Sequence, residues 1–306
     1  MSTIPSAGAT PGRVAVIYNP IRITEQFRRR VEKALQRRGC TDSRWLETSK
    51  EDAGTAMTAQ AVQENVDLVI GVGGDGTIRM IAGGLAGTNI PLGLTPAGTG
   101  NLLARNLKLP LDPDEALRVA LDGHNRTIDL VKLSVDNREP QHFAVMAGIG
   151  VDAMIMDETD PSLKEKIGPA AYFIAAGKAL GRLPVKVAIR LDDHHPMRRQ
   201  AMLCVIGNVG ELVGNIALIP DAKPDDGLLD LYVASPQRLS HWVKVILRLI
   251  TRRPRKDDRV DELKGKTVTI YIDGRDSYEL DGDAVGECSV LRAEIHPGAL
   301  KVCVAE

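Results

Sequence analysis

Aromatic side chains are scarce in this sequence, since Phe, Trp and Tyr together make up 3% of its 306 residues. Proteins that bind nucleic acids often stack bases on aromatic rings and carry an excess of positive charge. Here the formal net charge is −1, because 39 Lys and Arg residues face 40 Asp and Glu residues. We therefore expect no nucleic-acid partner.

Long apolar runs are also missing. No stretch approaches the ~20 apolar residues that a membrane-spanning helix needs. The first residues do not combine a charged start with an apolar core, as a secretory signal would. The cysteines have neither metal-binding nor redox spacing; they are Cys40, Cys204, Cys288 and Cys303. We therefore expect a cytoplasmic protein with reduced thiols.

Two glycine-rich loops stand out between residues 66 and 101. Each follows a short apolar run and precedes residues with the apolar spacing of a helix, so the pattern predicts strand, glycine turn and helix, twice over. The first loop contains Gly73, Gly74, Asp75, Gly76 and Thr77. The second contains Gly98, Thr99, Gly100 and Asn101. Glycines let backbone N–H groups approach a phosphate, and the start of a helix adds partial positive charge.

The residue that does not fit a plain phosphate loop is Asp75. A carboxylate beside phosphates is repelled by them unless a divalent cation lies between the two. A glycine turn that contains an Asp therefore indicates a metal–nucleotide complex and phosphoryl transfer. The alternative is that Asp75 only caps the helix that we expect to begin at Thr77.

Taken together, the two loops resemble those of the catalytic domain of the diacylglycerol kinase family, which includes bacterial soluble lipid kinases and sphingosine kinases. The resemblance extends from about Val14 to the C-terminus. NAD kinases and ATP-dependent phosphofructokinases share the first motif or a relative of it, whereas the second motif favours the lipid kinases. The resemblance implies that ATP and Mg²⁺ are bound, that both loops contact the nucleotide, and that Thr48 lies near it.

A third motif, Asp281-Gly282-Asp283, resembles the Asp-Gly-Glu of the family. That resemblance implies acidic side chains at the site of phosphoryl transfer. We expect Asp281 to act as the general base for the acceptor hydroxyl, and Asp283 to orient that hydroxyl or assist the cation. Asp283 is one methylene shorter than the usual Glu. Read alone, Asp-Gly is also the signature of an ordinary hairpin turn.

A second acidic turn covers residues 223–228. In bacterial lipid kinases the matching place carries a Mg²⁺ of structural type. The resemblance implies that Asp226 supplies a carboxylate and that Lys223 and Leu228 supply backbone carbonyls, which are the oxygen ligands that a hard cation prefers. The alternative is a solvated acidic turn.

The order of these patterns predicts an α/β plus all-β fold. After a disordered segment, residues 1–12, strands and helices alternate through residues 13–130, which is typical of a doubly wound α/β domain, here the nucleotide-binding one. Residues 131–296 read as successive strands, among them one over 142–149, and predict an antiparallel β-sandwich domain for the lipid acceptor. The final strand, in residues 297–306, is expected to return to the first domain.

Residues 237–256 form a basic amphipathic stretch that ends in a cluster of arginine and lysine. Such a stretch is typical of a helix that contacts a membrane surface, although a helix packed on the sandwich would read the same way. We therefore expect an ATP-dependent lipid kinase that works on a diacylglycerol-like or other long-chain lipid at the inner face of the membrane. A homodimer is also considered.

Two other functions stay open from the sequence. A kinase for a soluble acceptor such as NAD would keep the first glycine motif. A nucleotide- or lipid-binding regulator with weak catalysis would fit the shorter Asp283 and two places where many relatives carry an acidic residue after a glycine motif. This chain has Met80 and Leu102 there instead.

Overall fold

The computed structural model describes residues 12–40, 42–150, 183–212, 216–235, 241 and 260–305. The chain divides into two compact units, residues 1–130 with 298–306 (unit 1) and residues 131–297 (unit 2). The predicted disordered segment up to residue 11 and the basic stretch 237–256, apart from residue 241, lie outside the described residues. Within the described ranges, no helix is long and apolar enough to cross a membrane.

Unit 1 alternates strands and helices. Its elements are β1 (Arg13–Tyr18), α1 (Glu25–Arg37), β2 (Asp42–Glu47), α2 (Thr55–Gln63), β3 (Leu68–Gly73), α3 (Asp75–Leu85), β4 (Leu92–Pro96), α4 (Leu102–Asn106) and α5 (Pro113–Asp122). β1 pairs in parallel with both β2 and β3, and β3 pairs in parallel with β4. The end of the last strand, β16 (Asp283–Val304), pairs in parallel with β4 through Val302 and Leu92.

Helices cover both faces of this parallel sheet. On one face, alternate residues of β1 and β3 form a buried cluster with the apolar stripe of α1. On the other face, a Cβ added at Gly71 would lie 3.0 Å from Ile78 and Ile81 of α3, so that helix packs directly on the strand. A sheet buried on both faces explains why the strands of unit 1 are almost uniformly apolar.

Helix ends in unit 1 follow local sequence signals. Thr24 caps α1 by accepting a hydrogen bond from Phe27, and Gly39 follows the helix with a φ of +72°. Asp112 caps α5 by accepting from the backbone N–H groups of Asp114 and Glu115. Pro113 lies in the first turn of α5, where its fixed φ suits a helix start.

The topology of unit 1 places the two glycine loops at one edge of the sheet. β1 lies between β2 and β3, so the direction of strand succession reverses between β1 and β3. Open parallel sheets bind ligands outside the carboxyl ends of their strands, beside such a reversal. The first glycine loop leaves the carboxyl end of β3, and the second leaves the carboxyl end of the neighbouring β4.

Unit 2 is built from antiparallel strands. They are β5 (His124–Val135), β6 (Gln141–Phe143), β7 (Met146–Ile149), β8 (Val185–Leu191), β9 (Met197–Ala201), β10 (Leu203–Gly207), β11 (Glu211–Leu212), β12 (Ile216–Ala217), β13 (Leu229–Ala234), β14 (Val260–Gly265), β15 (Thr267–Leu280) and most of β16. β5 begins in unit 1 and β16 ends there. The inward faces of these strands share one core, which includes Leu133, Ile149, Ile189, Leu231 and Ile270. The predicted fold class, a doubly wound α/β domain followed by an antiparallel sandwich, is confirmed.

Three details of unit 2 differ from the sequence prediction. The single strand expected over 142–149 is two strands, because the chain leaves the ladder at Ala144 and Val145 between β6 and β7. β9 and β14 were not predicted, since most of their residues are polar and their exposed side chains hide the period-two pattern.

All four cysteines are free and buried. Burial raises the pKa of Cys204, Cys288 and Cys303 to about 12. Because the thiolate is the reactive form, these three thiols are held in an unreactive state.

Candidate functional site

The two glycine loops of unit 1 touch each other through their backbones. A Cβ added at Gly98 would lie 2.6 Å from the Cα of Gly74, a distance that side chains do not reach. A Cβ added at Gly100 would lie 2.6 Å from Oδ2 of Asp75. The glycines of the second loop are therefore required by its contact with the first, whatever else they bind.

Asp75 links the two loops by hydrogen bonds. Its carboxylate accepts from the backbone N–H of Asn101, with Oδ2 at 2.8 Å, and from that of Leu102, with Oδ1 at 2.6 Å. α3 begins at Asp75 rather than at Thr77, and its N-cap is Gly74, which has no side chain to accept a hydrogen bond. Asp75 is therefore not the N-cap of its own helix, in contrast to the alternative above.

The second loop is also fixed by contacts of its own. Asn101 adopts a left-handed backbone with a φ of +48°. Its side-chain oxygen accepts from the N–H of Gly98 at 2.9 Å, and its side-chain nitrogen donates to the carbonyl of Gly98 at 2.9 Å. Nε of Arg105 donates to the carbonyl of Gly100 at 2.8 Å. This loop is therefore shaped before any ligand arrives.

The space beneath the loops is small. A recess bordered by Asp75, Ile78, Pro96 and Leu103 has a volume of about 10 Å³, which is room for about one water molecule. A nucleotide could therefore lie over the loops and not under them. An open glycine surface at a strand end is the kind of surface that accepts phosphate groups, so these residues fit an ATP phosphate chain.

The remaining predicted nucleotide residues lie in unit 1 as well. Thr77 is buried and packs directly against the backbone of Gly73. A Cβ added at Gly73 would lie only 2.6 Å from the Cβ of Thr77. Gly76 lies in the first turn of α3, and Thr99 is exposed at the tip of the second loop. Thr48 follows β2 at the same edge of the sheet, where it is buried and donates its N–H to the carbonyl of Tyr18.

In unit 2, the Asp-Gly-Asp motif forms the turn between β15 and β16. Asp281 and Gly282 both have positive φ angles, +50° and +88°, and Leu280 pairs with Asp283 across the turn. Two central residues with positive φ are typical of the type I′ hairpin turn that Asp-Gly favours. The two interpretations of Asp-Gly are therefore compatible, because the residues of the hairpin turn are also the residues of the candidate site.

The Asp281 side chain is buried and anchored. Its carboxylate lies 3.0 Å from the backbone nitrogens of Val145 and Met146 and 3.4 Å from that of Ala144, all of which donate to it. Its own N–H donates to the carbonyl of Met146 at 2.8 Å. Asn208, fully buried, donates from its side chain to the carbonyl of Ala144 at 3.1 Å. The break between β6 and β7 thus directs the N–H groups of residues 144–146 toward one carboxylate.

Asp283 has a different environment from Asp281. It is the first residue of β16 and is exposed, as are the four residues that follow it. A carboxylate at the surface of a turn can reach the hydroxyl of an incoming substrate, whereas the buried Asp281 carboxylate holds three backbone N–H groups inside the unit.

The acidic turn predicted to hold a structural Mg²⁺ contains an ammonium group. Nζ of Lys264 lies 3.5 Å from Oδ2 of Asp226, and Oδ1 of Asp226 accepts from the N–H of Leu228 at 3.1 Å. No group of three or more His, Cys, Asp or Glu side chains in the described part of the chain is arranged to hold a metal ion. Backbone oxygens of Lys223 and Leu228 would suit a hard cation, but the Lys264 ammonium beside Asp226 would repel one, so this set of groups does not fit a divalent cation.

Sequence reasoning missed three contributors to these sites: Lys264, Asn208 and the segment 144–146. Lys264 lies in a strand that is mostly polar, and Asn208 follows an apolar run like many loop residues. No local pattern marks them, because their importance comes from partners that are distant in the sequence.

Comparison with solved structures identifies the fold. The chain superposes on a diacylglycerol kinase from Bacillus anthracis str. Sterne with a TM-score of 0.69 at 24% identity, covering 96% of this chain and 97% of that one. It also superposes on an NAD kinase from Archaeoglobus fulgidus in complex with ATP, with a TM-score of 0.50 at 15% identity, covering 96% and 94%. At such identities these likenesses show a shared two-domain fold alone.

Sequence comparison is more specific. Residues 13–133 match the model of the diacylglycerol kinase catalytic domain, and residues 145–304 match that of the YegS C-terminal NAD kinase beta sandwich-like domain. A relative named diacylglycerol kinase from Staphylococcus aureus (strain MRSA252) is 31% identical over 292 residues, 93% of this chain and 90% of the relative. One of the same name from Mycobacterium tuberculosis (strain ATCC 25618 / H37Rv) is 33% identical over 250 residues, 80% and 79%. The chain belongs to the diacylglycerol kinase catalytic-domain family, a family of lipid phosphotransferases.

Proposed function

We propose that this protein is an ATP-dependent lipid kinase that transfers the γ-phosphoryl group of ATP to the hydroxyl of a diacylglycerol-like or other long-chain lipid. The observation that carries the proposal is the pair of interlocked glycine loops at the carboxyl ends of β3 and β4, joined by the Asp75 carboxylate. Family membership supports the transfer, and the names of the relatives support the lipid acceptor.

On the donor side, unit 1 would bind the phosphate chain over Gly74, Gly98 and the exposed Thr99. Mg²⁺ with the nucleotide would neutralise charge on the transferring phosphoryl group, and Asp75 is the carboxylate in these loops that could hold it. Each carboxylate oxygen has a second lone pair beyond the one used for a backbone N–H. Asp75 can therefore shape the loop and bind the cation together.

On the acceptor side, we assign the proton acceptor to Asp283 rather than to Asp281. The lipid hydroxyl oxygen attacks the γ-phosphorus, the bond from that phosphorus to the β,γ-bridging oxygen breaks, and ADP leaves. The hydroxyl proton passes to the Asp283 carboxylate as charge develops, because an alcohol is too weak an acid to ionise beforehand. Asp281 acts as a positioning residue: its hydrogen bonds to residues 144–146 fix the turn from which Asp283 projects.

The test is transfer of label from γ-labelled ATP into a total lipid extract presented in mixed micelles, with and without Mg²⁺. We expect a labelled lipid only with Mg²⁺, and its mobility will indicate the acceptor. Label in a water-soluble product would move the function to an acceptor such as NAD. No transfer by a protein that binds ATP would indicate a regulator.

We also propose that the enzyme works at the inner face of the membrane, through its basic stretch. Changing Arg252, Arg253, Arg255 and Lys256 to Gln should reduce co-sedimentation with phosphatidylglycerol vesicles, while neutral phosphatidylcholine vesicles serve as the control. Unchanged binding to the anionic vesicles would remove this surface from the proposal.

A further inference from the structure

A lysine in unit 2 lies at the acidic turn by virtue of its strand register. β13 and β14 are antiparallel neighbours, and Lys264 pairs directly with Asp230. Directly opposite residues in such a ladder have Cβ atoms about 5 Å apart. The backbone therefore sets the position of Lys264 and brings its ammonium to the acidic turn.

The ammonium meets oxygens of three residues there. Nζ lies 2.9 Å from the carbonyl oxygen of Asp221, 3.2 Å and 3.5 Å from Oδ1 and Oδ2 of Asp230, and 3.5 Å from Oδ2 of Asp226. An ammonium has three N–H donors, so it can donate to all three residues. Two of these acceptors are carboxylates, as in an oxygen-ligand cation site.

The acidic turn needs a positive charge because it lies beside a buried carboxylate, that of Asp230 in β13. The Asp230 side chain is 4% exposed, against 37% for Lys264. Without a cation, the carboxylates of Asp226 and Asp230 would repel each other, and the buried one would lack compensation.

A divalent ion in the same place would lie beside the ammonium. The formal charges of Asp226, Asp230 and Lys264 add to −1. Because Nζ is within 3.5 Å of both carboxylates, an ion bound to them would be repelled by it at short range. Lysine and divalent cation are therefore alternatives at this turn.

We propose that Lys264 is the built-in cation of the acidic turn, so that this chain holds the turn without the structural Mg²⁺ that its family resemblance implies. The proposal does not depend on the acceptor lipid or on catalysis. A consequence is that removal of Lys264 converts the turn into a site for Mg²⁺ or Ca²⁺, with Asp226 and Asp230 as carboxylate ligands.

The experiment compares thermal unfolding of the full-length parent and Lys264→Met in EDTA, in Mg²⁺ and in Ca²⁺. The parent should have the same Tm in all three buffers. The variant should lose roughly 5 °C in EDTA, because a partly buried ion pair is broken, and should recover much of that loss with millimolar cation. Lys266→Met is the matched control: an exposed lysine two residues further along, it should behave as the parent does.

Two results would overturn the proposal: a parent Tm that falls in EDTA, or a Lys264→Met variant whose Tm does not respond to either cation. If that variant does not fold, Lys264→Gln takes its place, since glutamine can still donate to the carbonyl of Asp221. Lys264→Arg keeps the charge and should be as insensitive to EDTA as the parent, so a cation response in Lys264→Arg also counts against the proposal.

Discussion

The Asp75 carboxylate lies 2.6 Å from the backbone nitrogen of Leu102, and it thereby ties the start of α3 to the start of α4. A residue that the sequence marks as a metal ligand is also the connection between two loops. Its two roles can be separated, because one involves a cation and the other does not.

For Asp75→Asn, we expect weaker ATP binding even in the absence of Mg²⁺. One carboxylate oxygen becomes an N–H₂ group facing a backbone N–H, and hydrogen bonds to a charged acceptor contribute about 1.5–3 kcal/mol. The measurement is calorimetric titration with ATP in EDTA and in Mg²⁺. A loss confined to the Mg²⁺ titration would mean that Asp75 acts through the cation alone.

The contact between the glycine loops predicts that two similar substitutions will have different effects on stability. In Gly98→Ala the new methyl would lie 2.6 Å from the Cα of Gly74, so the loops must separate, and we expect a Tm lower by several degrees and loss of turnover. In Gly74→Ala the methyl would lie 3.4 Å from the Cα of Gly98, an ordinary contact. Its Tm should stay near that of the parent. Equal destabilisation of both variants would argue against the contact.

Substitutions of the two acidic residues in the β15–β16 turn should affect different properties, one the stability and the other the turnover. Asp281→Asn places an amide among N–H donors inside unit 2, and we expect a loss of about 2–4 kcal/mol in the free energy of unfolding. Asp283→Asn should unfold like the parent and lose phosphoryl transfer by about 10²–10⁴-fold. The exposed Asp193 in another turn, changed to Asn, is the control for both measurements. Full turnover in Asp283→Asn would return the role of base to Asp281.

A histidine pair in unit 2 predicts a pH dependence of stability near neutrality. His142 and His296 have ring centroids 5.7 Å apart. Burial, His296 and Lys132 lower the pKa of His142 below its ordinary value of 6.5. As the pH falls, His142 therefore takes up a proton at a higher pH in the unfolded protein than in the folded one. Its contribution to stability is present above pH 6.5 and is lost as the pH falls through the folded-state pKa.

Denaturant unfolding between pH 7.5 and 5 checks this linkage. We expect the free energy of unfolding of the parent to decline over that range, and His142→Gln to decline less. His124→Gln, at an exposed position of β5, should follow the parent curve. Parallel curves for the parent and His142→Gln would contradict the assignment.

Some of these features could be predicted from the sequence because their causes are local. In β8 (Val185–Leu191), alternate apolar residues mark a half-buried strand. The cap at Asp112 is specified by a pattern that lies within four residues. The glycine loops were found for the same reason.

Other features depend on register and could not be predicted. Lys264 lies opposite Asp230, 34 residues away, only because β13 and β14 pair in one particular alignment. The contrast between Asp281 and Asp283 depends on the break at residues 144–145, which an apolar run conceals. In each case a charged side chain acquires its role from the partner that the sheet places beside it.

The path of β16 has a consequence for synthesis of the protein. This strand starts at Asp283 in unit 2 and ends at Val304 in unit 1, where Val302 pairs with Leu92. Until those last residues leave the ribosome, β4 has an open edge and the nascent glycine-loop domain lacks a strand. A fragment that stops at residue 130 would carry that exposed edge permanently and would tend to aggregate through it. Unit 1 can therefore be completed only after unit 2 has been translated.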